Sequence, residues 1–238
     1  PVRVHVGGCD QWRDLPSWPP PQARSQPWYL SAGGQLSPVL PTTVPPTTVP
    51  PERPPVSSLH YDPAAPTPSV GGPLLGSRTS GIRRNDALEA RADVLTFTSA
   101  PLTGAAEVIG PVSARLRVRG SSPHFDVFAR LCDVDPRGHS RNVCDGLVRH
   151  RPGDGDGDGW STVTVAMGAA AYRFGAGHRL RLQISGGAHP RFTRNTGTGE
   201  PPATATRLVP VDIEISHETG SPAALSLPLV TSGVLTRR

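Results

Sequence analysis

From residue 93 onward, apolar and polar side chains alternate with a period of two, the mark of strands that bury one face. Val112, Ala114, Leu116 and Val118 alternate with Ser113, Arg115, Arg117 and Arg119. Val127, Ala129 and Leu131 repeat the pattern, with Phe128 and Cys132 on the opposite face. Further sets follow at Val143, Leu147 and Val148, at Val163, Val165 and Met167, and at Leu180, Leu182 and Ile184. Val209, Val211, Ile213 and Ile215 form another, and Leu225, Leu227 and Leu229 the last. With residues 94–98 these make eight short strands separated by Gly, Pro and Asp turns. No helical stripe is visible. The pattern predicts an all-β, jelly-roll-type β-sandwich of about eight antiparallel strands.

The earlier part reads differently. Val2, Val4 and Val6 alternate with polar neighbours and predict a short strand. A loop with two tryptophans and several prolines follows, then the run Trp28-Tyr29-Leu30. The string PTTVP stands at 41–45 and again at 46–50. Proline fixes φ and removes donors, so this stretch is expected to be an extended, polyproline-like linker. The segment 61–72 is equally short of strand or helix signal and reads as an arm. The expected division is a joining segment over 1–35, a Pro/Thr-rich linker and arm over 36–84, and the sandwich over 85–238.

Composition narrows the function. The hydrophobic fraction of 36%, together with 26 glycines, suits a globular core. The net charge is +5, and all 24 basic residues are arginine. These arginines are dispersed, and aromatics at 5% do not interleave with them, so no nucleic-acid partner is expected. No apolar run reaches the length of a membrane-spanning helix, so no membrane partner is expected either. The chain starts at Pro1, its single methionine is Met167, and no signal peptide is visible, so it reads as a piece of a longer protein. Nothing marks an oxidising compartment, which favours the cytoplasm.

Candidate chemistry is sparse. Cys132 and Cys144 flank the turn Asp135-Pro136-Arg137-Gly138, and a hairpin there would set them nearly opposite; two buried free thiols are the preferred reading over a bridge. The pentapeptide G-x-S-x-G of α/β-hydrolase nucleophiles is absent. The eight histidines, His178 and His189 among them, sit beside no recognisable nucleophile and read as turn or surface residues. No zinc spacing exists, and no cofactor is expected. One metal-like string remains, in which Asp154, Asp156 and Asp158 alternate with glycine as in the opening of a calcium loop. Its twelfth position is Val165 rather than Glu, so a flexible turn explains it as well.

Several strings resemble a family in order along the chain. LTFTSAPL (95–102), GPVSARLRV (110–118), the stretch 126–149, the stretch 171–200 and LPLV (227–230) resemble the C-terminal domain of X-Pro dipeptidyl-peptidases. The same domain occurs in cocaine-esterase-like (CocE/NonD) serine hydrolases and α-amino-acid ester hydrolases. Residues 2–19, 28–38 and 61–72 resemble the segment that joins the α/β-hydrolase domain to it, which implies that 1–35 is a remnant of the α/β-hydrolase end with the joining segment, and that residues 2–6 are the last strand of the hydrolase sheet. The resemblance implies acyl transfer through a Ser-Asp-His triad that lies entirely before the segment matching Pro1. No catalytic residue is therefore assigned to this chain, and none of its residues is expected to support turnover alone.

The resemblance also implies a partner, the α/β-hydrolase catalytic domain, whose active-site mouth the sandwich would help to shape. Trp12, Trp18, Trp28 and Tyr29 are the candidate interface residues, because large amphipathic rings bury area between domains. Asn195 is a further candidate, in the turn-rich loop 186–200, which reads either as a substrate rim or as a structural crossover. The alternative function is a free-standing ligand- or carbohydrate-binding module. If residues 1–30 wait for a partner, deleting 1–35 should improve solubility.

Overall fold

The computed structural model describes residues 1–41, 55–74, 79–153, 155 and 157–230. Its early strands are β1 (Val2–Val6), β2 (Gln11–Leu15), β3 (Ala23–Ser31), β4 (Gln35–Ser37) and β5 (Val56–Tyr61). A one-turn helix, α1 (Asp86–Glu89), precedes β6 (Val94–Ser99), β7 (Ala106–Gly120), β8 (Phe125–Val134) and β9 (Ser140–His150). The last four strands are β10 (Ser161–Phe174), β11 (Arg179–Ser185), β12 (Val211–Ser216) and β13 (Ala224–Val230).

β1 and β2 form a two-stranded sheet of their own. All other strands join one large sheet, in the order β5-β12-β7-β13-β3-β4-β6-β11-β8-β9, with β10 on the other flank of β7. Every pairing is antiparallel except β4 with β6. The sheet folds over on itself, so β9 lies against β10 without a ladder between them. The interior is the apolar face read from the sequence: Val112, Ala114, Leu116 and Val118 meet Ala129, Leu131, Leu180, Leu182, Ile184, Leu225 and Leu227. This is a β-sandwich.

Closure depends on one glycine. A Cβ on Gly146 of β9 would stand 1.9 Å from the Ala166 carbonyl oxygen of β10. β10 slips register between Ala166 and Ala169, the bulge that lets it bend where β9 crosses.

The alternation misjudges two regions. Thirteen strands form among the described residues rather than eight, because the proline-rich first third also pairs. β3 and β4 lie between β13 and β6, and Trp28 and Leu30 are buried in the main core. β5, inside the stretch read as linker and arm, pairs along β12 from Val56 to Tyr61. Residues 1–35 are thus no detachable joining piece, and deleting them would remove core. Most of the PTTVP tandem, 42–50, lies outside the described residues.

The second region is β8, where the alternation holds but the face opposite Val127, Ala129 and Leu131 is covered as well, so that every residue of the strand is buried. One face packs in the core. The other carries Asp126, Phe128, Arg130 and Cys132, covered by residues from 62–93 and the loop 186–200. Arg130 is completely buried there. Its Nε and Nη2 donate to Asp145 Oδ2 at 3.1 and 2.8 Å, and its Nη1 donates to Asn85 Oδ1 at 2.8 Å and to the Val70 carbonyl. Arg191 takes the other oxygen of Asp145. An arginine held this way clamps the covering segments onto the sheet.

The hairpin at Asp135–Gly138 forms, but with a bulge. Cys144 faces Leu131 while Cys132 faces Asn142, so the two cysteines stand on opposite faces of the ribbon. Both are free. Burial raises both thiol pKa values, that of Cys144 to about 12.

Candidate docking surface

The β1–β2 hairpin carries the chain's exposed aromatic chemistry. Its turn is built from Gly7, Gly8, Cys9 and Asp10. Gly8 has φ of 77°, and a Cβ there would lie 2.1 Å from the Arg173 carbonyl oxygen, so only glycine allows this approach. Gly7 continues the ladder onto β10, donating to the Ala171 carbonyl at 2.9 Å and accepting from the Arg173 N–H at 2.9 Å.

Alternation splits the hairpin into two faces. The inner face sends Leu15 and Val4 against Ile109, Val230 and Ala23, a small second core. The outer face shows Arg3, His5, Trp12 and Asp14. Trp12 is 62% exposed, with the His5 ring edge-on at 5.2 Å and the Arg3 guanidinium 5.9 Å from its ring centre. His5 shares a hydrogen bond of 2.7 Å with Asp10. Trp18, 36% exposed, follows in the next turn, and Val2 is exposed on the same hairpin. An aromatic flanked by a guanidinium and an imidazole in water is the composition of an interface anchor.

The other interface candidates separate from these. Trp28 is a core residue at 8% exposure, and its neighbour Tyr29 is half-buried. Asn195 is buried: its Nδ2 donates to Asp126 Oδ1 at 2.8 Å and its Oδ1 accepts from the Gly197 N–H at 3.0 Å. Arg149 grips the same carboxylate with two bonds of 2.8 and 2.9 Å. Asn195 therefore fixes a crossover loop.

Of the three aspartates of the calcium-like string, only Asp158 lies among the described residues. Asp158 is committed to the Arg117 guanidinium and accepts from the Trp160 N–H at 3.0 Å, which lowers its pKa. Asp154 and Asp156 lie outside the described residues. Among the described residues, no cluster of three potential metal ligands forms.

One juxtaposition escaped the sequence. His150 Nε2 lies 2.8 Å from Ser161 Oγ, and its Nδ1 lies 2.8 Å from the Pro123 carbonyl. The carbonyl can only accept, so Nδ1 carries the proton and Nε2 receives the hydroxyl. The ring stacks on Phe125 at 4.4 Å, beside a cavity of about 300 Å³. Both partners are buried, and among the described residues no carboxylate bonds to the imidazole. The pair joins the end of β9 to the start of β10. Sequence could not show it, because the two residues meet only after the sheet closes. His178 is likewise not a bare surface residue, since its Nδ1 stands 2.8 Å from Asp133 Oδ1.

The family model described as the X-Pro dipeptidyl-peptidase C-terminal non-catalytic domain matches residues 1–223. The chain belongs to that family. Among curated proteins, the cocaine esterase of Rhodococcus sp. (strain MB1 Bresler) is 35% identical over 211 residues, covering 83% of this chain and 36% of the esterase. An aminopeptidase from a marine-sediment Thaumarchaeota archaeon superposes with a TM-score of 0.83 at 19% identity, over 97% of this chain and 40% of the other. An α-amino acid ester hydrolase gives 0.78 at 23% identity, over 96% and 41%. The chain thus spans well under half the length of these relatives.

Proposed function

We propose that this chain is the accessory domain of a serine hydrolase of the acyl-esterase or dipeptidyl-peptidase type, packing on an α/β-hydrolase catalytic domain and helping to shape the mouth of its active site. The carrying observation is the β1–β2 hairpin. It is anchored to the sandwich on one face and presents Trp12 and Arg3 on the other, with Trp18 in the turn that follows. Apolar surface of this kind is unfavourable in water, and a partner that covers it gains free energy by removing it from solvent. The family's description as a non-catalytic domain agrees with the assignment of no catalytic residue to this chain.

The docking part of the reading is narrower than the sequence suggested. Trp12 and Trp18 belong to the surface, whereas Trp28 and Asn195 belong to the fold. The chemistry is tested by incubating the purified chain with short-chain aryl esters and X-Pro amides, and with a fluorophosphonate that labels activated serines. No turnover and no stoichiometric label are expected. Label on a single serine would overturn the reading, and Ser161 beside His150 is the residue to inspect first.

A further inference from the structure

Glu107 is a carboxylate that the sandwich itself does not satisfy. It stands near the start of β7, between Arg173 of β10 and Val230 of β13 in cross-strand register, and is 8% exposed. Its cross-strand partner Arg173 comes no closer than 3.9 Å. The two short bonds come from Arg13 on β2: Nη1 to Oε2 at 2.6 Å and Nη2 to Oε1 at 2.8 Å. This fork also raises the Arg13 pKa against the opposing effect of burial. A two-stranded hairpin is marginal by itself. Its apolar contact, Leu15 and Val4 on Ile109, Val230 and Ala23, is small and non-directional. A bidentate guanidinium–carboxylate pair is directional, and lifting the hairpin would break both of its bonds.

We propose that Glu107 is a positioning residue: through its fork with Arg13 it latches the β1–β2 hairpin in one orientation, so that the Trp12 face is set before any partner arrives. The proposal rests on the docking reading for its purpose, but its test does not. Hydrogen exchange by mass spectrometry or NMR on the whole chain compares wild type with Glu107→Gln, Arg13→Gln, Arg13→Lys and the double variant Arg13→Gln/Glu107→Gln. Glu107→Gln should speed exchange of the β1–β2 amides about tenfold or more, the loss expected for a charged hydrogen-bond pair, while β8 and β11 amides stay unchanged. Arg13→Lys, which keeps charge but not the fork, should fall between. The double variant should loosen the hairpin no more than the single one, because the two side chains act as a unit. Unchanged hairpin exchange, or equal acceleration in β8 and β11, would overturn the latch. Additive effects of the two changes would do the same. Failure of the docking reading would leave these results as they are, since they are read on the chain alone.

Discussion

Asp145→Ala is the sharpest perturbation of the fold. It removes the carboxylate that receives two bonds from Arg130 and one from Arg191, while Arg130 stays fully buried. Asn85 and the Val70 carbonyl still accept from the guanidinium, but neither carries charge. Breaking a buried pair from one side costs about 3–5 kcal/mol. For a chain of this size that corresponds to a fall in Tm of roughly 6–20 °C, at about 2–4 °C per kcal/mol. Replacing both partners, Arg130→Met with Asp145→Leu, removes the stranded charge and should recover most of the loss. Thermal unfolding followed by circular dichroism gives the Tm values. Limited proteolysis should show the single variant cut within 62–93, the segment that Arg130 and Arg191 clamp. A single variant within about 2 °C of wild type would refute the reasoning, as would a double variant worse than the single.

Other outcomes follow from separate features. Gly146→Ala drives a methyl into the Ala166 carbonyl at 1.9 Å, and a melt should show destabilisation of about 1–3 kcal/mol or more. His217 shares a 2.8 Å hydrogen bond with Ser57 and packs edge-on against Phe97, and burial lowers its pKa from the ordinary 6.5. Because the unfolded chain takes the proton first, His217 contributes its full stability above about pH 6.5 and loses it progressively below. Tm measured down to about pH 5 should therefore fall less steeply in His217→Gln than in wild type. Deleting 1–35 removes Trp28 and Leu30 from the core and strips β3 from β13, so the product should lose cooperative melting; a soluble, cooperatively folding product would contradict the topology.

What was legible in the sequence was the half-buried sheet. Strands with one wet face, such as β7 with Arg115, Arg117 and Arg119 outward, announce themselves by alternation. β8 announces itself in the same way through Val127, Ala129 and Leu131, but not the burial of its other face, because segments distant in sequence cover that face and its charges are paired rather than solvated. β3 and β5 were hidden by composition. Pro27 lies inside β3, in a stretch whose neighbours are prolines, and β5 reads VSSLHY between a proline tract and an arm. Strand pairing there is imposed by β13 and β12, not by local propensity. The tryptophans were found as a set, but only the three-dimensional sheet separates the exposed Trp12 and Trp18 from the core Trp28. A bulge decided the cysteines, shifting register by one residue and turning their side chains apart.

Whether the hairpin face meets a catalytic neighbour is tested most directly by association. The chain, held intact, is titrated against the catalytic portion of the Rhodococcus cocaine esterase or another related hydrolase, and binding is followed by sedimentation or calorimetry. The account predicts a complex that Trp12→Ala and Trp18→Ala weaken about tenfold or more, while Asn195→Ala matters only through stability. Binding indifferent to both tryptophans, or a monomer that ignores the catalytic portion, would contradict it.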